Sequence, residues 1–147
     1  MQYQQRMNLG KVEPKGYGIM FKFEEFLSKT AIPARLINLL KIRASQINKC
    51  CFCIELHSSE ALAAGESAKR IFALSAWKES PYFSEEEKVV LALTEEVTLI
   101  SDHGVSDEVY GDALRLFGEQ YVAQLILATN TINSWNRIAI STRLMPE

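Results

Sequence analysis

Apolar residues recur along most of this chain every three or four positions and almost nowhere every second one, a spacing that lines one face of a helix. Tyr17 to Lys29 sets Ile19, Phe23 and Phe26 at helical intervals, after Pro14 and before the break at Ala31-Ile32-Pro33. Pro33 to Ile47 opens with proline at the expected first helical position and carries a stripe of Leu36, Leu39, Leu40 and Ile47. Asn48 is then expected to cap a new helix that runs through the cysteines to Ala64, with Gly65 as the left-handed residue that ends it. A short helix follows from Ser67 to Trp77. Ser84-Glu85-Glu86-Glu87 has the serine-to-glutamate spacing of a capping box and opens VVLALTEEVTLI. Ser106-Asp107-Glu108 starts another helix, with acids in its first turn, that stops around Gly118; the last runs from Glu119 to about Arg143. There is no alternating strand and no internal repeat. The pattern predicts an all-α, single compact domain over 1–147, of about seven helices, with a CxxC at the start of a central one.

Composition narrows the function classes. A chain of 147 residues that is 48% apolar can bury a sizeable core. The opening MQYQQRMNLGK has no secretory apolar stretch, and runs such as Val89–Leu93 are too short to span a bilayer. The expected setting is the cytoplasm, with no membrane association. Sixteen basic against eighteen acidic residues leave a net charge of −2, and no basic block exists, so a nucleic-acid partner is not expected. No glycine-rich phosphate loop, nucleophile elbow or paired-carboxylate site is visible, and no nucleotide, flavin, haem or other cofactor is inferred.

What remains is INKCCFCIELH, residues 47–57, which holds all three cysteines and one of two histidines. In a reducing compartment such crowding points to metal or catalysis and not to a structural disulfide framework. On a helix Cys50 and Cys53 are i and i+3 neighbours, roughly 5–6 Å apart, and His57 lies one turn beyond Cys53. Cys51 is rotated about a quarter-turn away, where a packing role is expected. A helix N-terminus and Lys49 favour a thiolate, and an imidazole can take or return its proton. Three readings follow. A redox dithiol needs only these parts. A structural zinc wants four ligands, and beyond Cys50, Cys53 and His57 there is only His103, in an expected loop. Free cysteines can also serve simply as small buried hydrophobes.

RASQINKCCFCIELHSSEALAAGES, continuing through RIFALSAWKESPYFSEEEKVVLALTEEVTLI, resembles the AhpD-like branch of the carboxymuconolactone decarboxylase family. The similarity extends from KVEPKGY to INSWNRIAI. It implies a compact all-helical alkylhydroperoxidase that assembles as a trimer or hexamer. On the matching positions it implies Cys53 as the peroxidatic sulfur, Cys50 as the resolving sulfur more open to an external reductant, and His57 in proton transfer. Two departures stand out. The family glutamate twelve positions before the first cysteine is Asn38 here, which can orient an imidazole but cannot carry its proton. Glu95, inside an apolar stretch, is a candidate substitute acid or, equally, an exposed acid on an amphipathic helix; Glu55 falls about 160° around the helix from His57 and is expected to be solvated. Second, a position commonly glycine in this group is Lys49, which either favours a neighbouring thiolate or is simply a solvated charge, the latter being the expectation. Asn133, Asn136 and Arg137 share a face of the last helix; the expectation is a stripe that hydrogen-bonds neighbouring helices rather than a site or interface. Tyr17, Trp77, Tyr82, Phe83 and Tyr121 are expected to be packing anchors.

The expected function is reduction of a hydroperoxide through Cys50 and Cys53, recycled by an external dithiol carrier that is thioredoxin-like or lipoyl-bearing. A non-enzymatic redox sensor or thiol–disulfide exchange partner is the alternative, and a metal-binding module a third.

Overall fold

A computed structural model describes residues 3–146. Among these are eight α-helices and no strand: α1 (Leu9–Val12), α2 (Pro14–Ser28), α3 (Ala34–Asn48), α4 (Cys51–Ala63), α5 (Ala68–Ala73), α6 (Glu85–Thr98), α7 (Ile100–His103) and α8 (Asp107–Thr142), with a 3₁₀ turn at Leu74–Ala76. The centre is α3, packed against α4, α6 and α8. Leu40 and Ala44 of α3, Val90 and Leu93 of α6, and Leu125 and Ile132 of α8 close one core. The opposite face of α3 puts Leu39 and Ile42 against Leu74, Trp77 and Leu91. Helical spacing around α3 thus feeds two apolar clusters, which is why this helix is buried on nearly all sides.

Local signals account for most element ends. Ser84 accepts from the Glu87 amide while Glu87 accepts from the Ser84 amide, completing the capping box. Ser106 caps α8 by accepting from the Val109 amide. Gly118, at φ 75° and ψ 166°, breaks α8 where the pattern ended one helix and began the next. α2 begins at Pro14, three residues earlier than expected, because proline sits well in a first turn. At Pro33 the backbone is extended (ψ 141°), so this residue is the cap and α3 starts at Ala34. His103 ends the short α7 and is not in an open loop.

The junction before the cysteines differs most. Asn48 is the last residue of α3 and not a cap for α4. Its side chain is drawn inward, donating to the Asn133 and Asn136 side-chain carbonyls at 2.8 Å each. Lys49 then takes a left-handed conformation (φ 60°, ψ 40°), and the Cys50 amide closes back on the Ser45 carbonyl. A side chain in that region costs roughly 1–2 kcal/mol, which explains why glycine suits this position. Cys50 becomes the cap of α4, its sulfur 3.3 Å from the Cys53 amide.

The stripe on α8 does bind helices together. Asn136, fully buried, donates to Ser45 of α3; Asn133 donates to Thr98 of α6; Arg137 bonds the Asn133 carbonyl. By contrast Ile19, Phe23 and Phe26 leave the core and are 55%, 41% and 45% exposed. No helix of the described residues is long and apolar enough to cross a membrane.

Candidate active site

Cys50 and Cys53 are joined as a disulfide with Cα atoms 5.3 Å apart. The cap-to-third-residue relation brings this about, since a capping side chain points at the amide of the third helical residue. Cys53 opens on a cavity of about 500 Å³, and Cys50 does not line it. The two sulfur residues are almost equally covered, at 1% and 2% exposure. The expectation that Cys50 is the more open sulfur is therefore not met in this chain: closure of α3 on α4 through the Lys49 turn covers it. Cys51 is exposed and free, so it is not a packing residue; its position at the start of α4 turns it away from the core.

His57 lines the same cavity and is buried. Its Nδ1 lies 2.9 Å from a carboxylate oxygen of Glu60. A carboxylate can only accept, so Nδ1 carries the hydrogen and Nε2 is left as the basic nitrogen. Burial pushes the imidazole below its usual value; the Glu60 hydrogen bond opposes this, and Lys41 adds to it. His57 is accordingly a neutral base near pH 7.

That depression has a sign. In the unfolded chain His57 binds a proton around 6.5, and in the fold only at lower pH. Its neutral form is present in both states above that value. Folding stability should therefore fall as pH drops from 6.5 through the depressed value. Urea unfolding at pH 7.5 and 5.5 should show this loss, and His57→Gln should reduce it. An equal loss in the variant would assign the slope to other groups.

Asn38 is half-buried on α3 but does not line the cavity, and its side chain makes no hydrogen bond among the described residues. Glu95 lies elsewhere. It accepts from Arg43 (2.9 Å) and Trp77 (2.7 Å) and pairs with Lys78. Burial pushes its carboxyl up, but these donors outweigh burial and hold it low. It is a structural ion-pair centre that ties α3 to α6. Glu55 is exposed, as expected.

Sequence reasoning missed three cavity residues. Glu60 had a signal, since it stands three positions after His57 on one helix. Glu24 on α2 and Lys41 on α3 had none: they meet only through tertiary packing, at 2.6 Å. Trp135 of α8 donates to the second oxygen of Glu24 at 3.0 Å. Tyr17, one of the expected packing anchors, packs edge-on against Phe21 and Trp135 along the cavity wall. The N-terminal segment covers this wall and is pinned by the Arg6 amide on the Thr142 carbonyl. Among the described residues no group of three or more His, Cys, Asp or Glu side chains is arranged to hold a metal ion.

Residues 17–96 match the carboxymuconolactone decarboxylase family. The chain is 41% identical over 137 residues to the uncharacterized protein YdfG of Bacillus subtilis, covering 93% of each. Its fold superposes on the crystal structure of ATU0492 from Agrobacterium tumefaciens with a TM-score of 0.95 and 31% identity, covering 98% of this chain and 99% of that one. ATU0492 is described as a protein of unknown function placed provisionally with the antioxidant defence protein AhpD. An uncharacterized peroxidase-related protein from Silicibacter sp. TM1040 shares the fold at TM-score 0.82 and 16% identity, over 92% of this chain and 72% of that one. With a disulfide-forming CxxC at the start of α4 in an all-helical fold, the chain belongs to the carboxymuconolactone decarboxylase family as an AhpD-like member.

Proposed function

We propose that this protein reduces organic hydroperoxides with its Cys50/Cys53 dithiol. The observation that carries the reading is the shared cavity, which Cys53 and His57 both line. His57 takes the Cys53 proton at Nε2. The thiolate attacks the terminal oxygen of the hydroperoxide, the O–O bond breaks, and the proton returns to the departing oxygen to give the alcohol. Cys53 is left as a sulfenic acid. The Cys50 thiol, already within bonding reach, displaces water from it and forms the disulfide. An external dithiol, thioredoxin-like or lipoyl-bearing, reopens the pair and is itself oxidised to a disulfide. The descriptions of ATU0492 as related to antioxidant defence and of the Silicibacter protein as peroxidase-related are consistent with this chemistry.

The test is intact mass with thiol mapping after fully reduced protein meets one equivalent of an organic hydroperoxide. Loss of two hydrogens, mapped to Cys50–Cys53, is expected. Thiols that oxidise no faster than free cysteine would sink the reading. A redox sensor is favoured by one observation: both cysteines are nearly buried, which hinders recycling by a protein dithiol. Multiple turnovers with a dithiol distinguish the enzyme from the sensor.

We also propose self-assembly, as a trimer or hexamer, using the apolar face of α2 that carries Ile19, Phe23 and Phe26. Light scattering at micromolar concentration should give three or six times 16.6 kDa; a single-subunit mass refutes it.

A further inference from the structure

Breaking the O–O bond of a hydroperoxide places negative charge on the oxygen that leaves. In a cavity walled by Phe21, Leu56, Trp135 and Ile138, that charge needs a preorganised donor, because apolar walls cannot solvate it. Among the described residues lining the cavity, Lys41 is the one lysine or arginine. It is 7% exposed. One N–H of its ammonium group is directed to Glu24, and an ammonium carries two more. Glu24 is itself fixed at its other oxygen by Trp135. An ion pair whose lysine is buried this deeply, against a half-buried carboxylate, seldom stabilises a fold more than apolar side chains of similar size would. Its presence in an apolar wall of the cavity that Cys53 and His57 also line therefore calls for a chemical role.

We infer that Lys41 is a catalytic residue of peroxide reduction, donating to the oxygen that departs as alkoxide, and that Glu24 is the positioning residue that aims it. The inference rests on the thiol-peroxidase reading and deepens it. As the Cys53 thiolate bonds to the terminal oxygen and the O–O pair leaves on the alcohol oxygen, the ammonium group stabilises that charge. The proton held by His57 then completes the alcohol. The arrangement favours substrates whose leaving oxygen is strongly basic, as in alkyl and aralkyl hydroperoxides, over peracids, whose carboxylate leaves without help.

The experiment compares two oxidants on reduced full-length protein, reading the second-order rate of Cys50–Cys53 disulfide formation by rapid quench and mass. One oxidant is cumene hydroperoxide, and the other is peroxybenzoic acid. In Lys41→Gln the rate with cumene hydroperoxide should fall about 10²–10³-fold, and the rate with the peracid less than about tenfold. The ratio of the two rates within one sample does not depend on the fraction folded. Lys41→Arg, which keeps the charge, should recover part of the wild-type ratio. Glu24→Gln should lower the ratio by a smaller factor, and Glu24→Asp should restore part of it. Equal losses on both oxidants, or no loss on either, would overturn the inference while leaving the peroxidase reading intact. A wild-type protein that neither oxidant converts to the disulfide refutes the peroxidase reading, and the inference with it.

Discussion

Cys53→Ser should abolish hydroperoxide-dependent oxidation of this protein, while Cys50→Ser should still react once. The structure separates two sulfurs that sequence spacing leaves equivalent. Cys53 faces the cavity; Cys50 sits behind it as the cap of α4, off the cavity and 1% exposed. A hydroperoxide held in the cavity therefore meets Cys53 first. Serine there removes the nucleophile, and reaction at the remaining thiols should fall by ~10³-fold or more. Cys50→Ser keeps the nucleophile and loses only the group that resolves it. Its product should be heavier by one oxygen, a sulfenic acid trapped by dimedone, with no disulfide and no second turnover. Stopped-flow kinetics with mass detection on the two variants decides the matter. If Cys53→Ser consumes peroxide and Cys50→Ser does not, the roles are reversed, and the path to Cys50 must open by a movement of the Lys49 turn.

The other large effect concerns stability. Asn136→Ala should destabilise the fold by about 2–5 kcal/mol, since it removes one buried and one part-buried hydrogen bond and leaves a cavity at a site with no solvent exposure. The damage should not stay on α8. Asn136 accepts from Asn48 and donates to Ser45, and the Ser45 carbonyl receives the Cys50 amide. The same residue thus supports the turn that presents the disulfide. Hydrogen exchange should show the Cys50 amide losing protection along with the global change measured in urea. Thr131→Ala is the control: this threonine is buried, but among the described residues its hydroxyl bonds only within its own helix, to the Leu127 carbonyl, and its loss should cost less. A cost below about 1 kcal/mol for Asn136→Ala, with Cys50 protection unchanged, would contradict this account.

The residues that sequence analysis placed wrongly were misplaced for a common reason. Asn48 is a good cap by propensity, yet its amide is needed by Asn133 and Asn136, which are eighty-five and eighty-eight positions away. Glu95 read as a candidate relay acid because it interrupts an apolar run; its partners Arg43 and Trp77 come from other elements and claim it for structure. The family offset of twelve residues leads to Asn38, but the α3 side chain that reaches the cavity is Lys41, one turn further on, and its counter-charge arrives from α2. Ile19, Phe23 and Phe26 were legible as an apolar stripe, but not that the stripe would face outward.

Interactions that close within about one helical turn could be read from the sequence alone. They include the Ser84–Glu87 capping box, the break at Gly118, the all-helical class, and the reach between Cys50 and Cys53 with His57 a turn away. Each depends on residue spacing and backbone geometry that the chain carries with it locally. Only the tertiary structure decided which sulfur faces the cavity, that Asn48 turns inward and leaves capping to Cys50, and that Glu24 and Lys41 meet beside His57. Those outcomes depend on how helices distant in sequence pack, and on which buried polar groups must find partners once water is excluded.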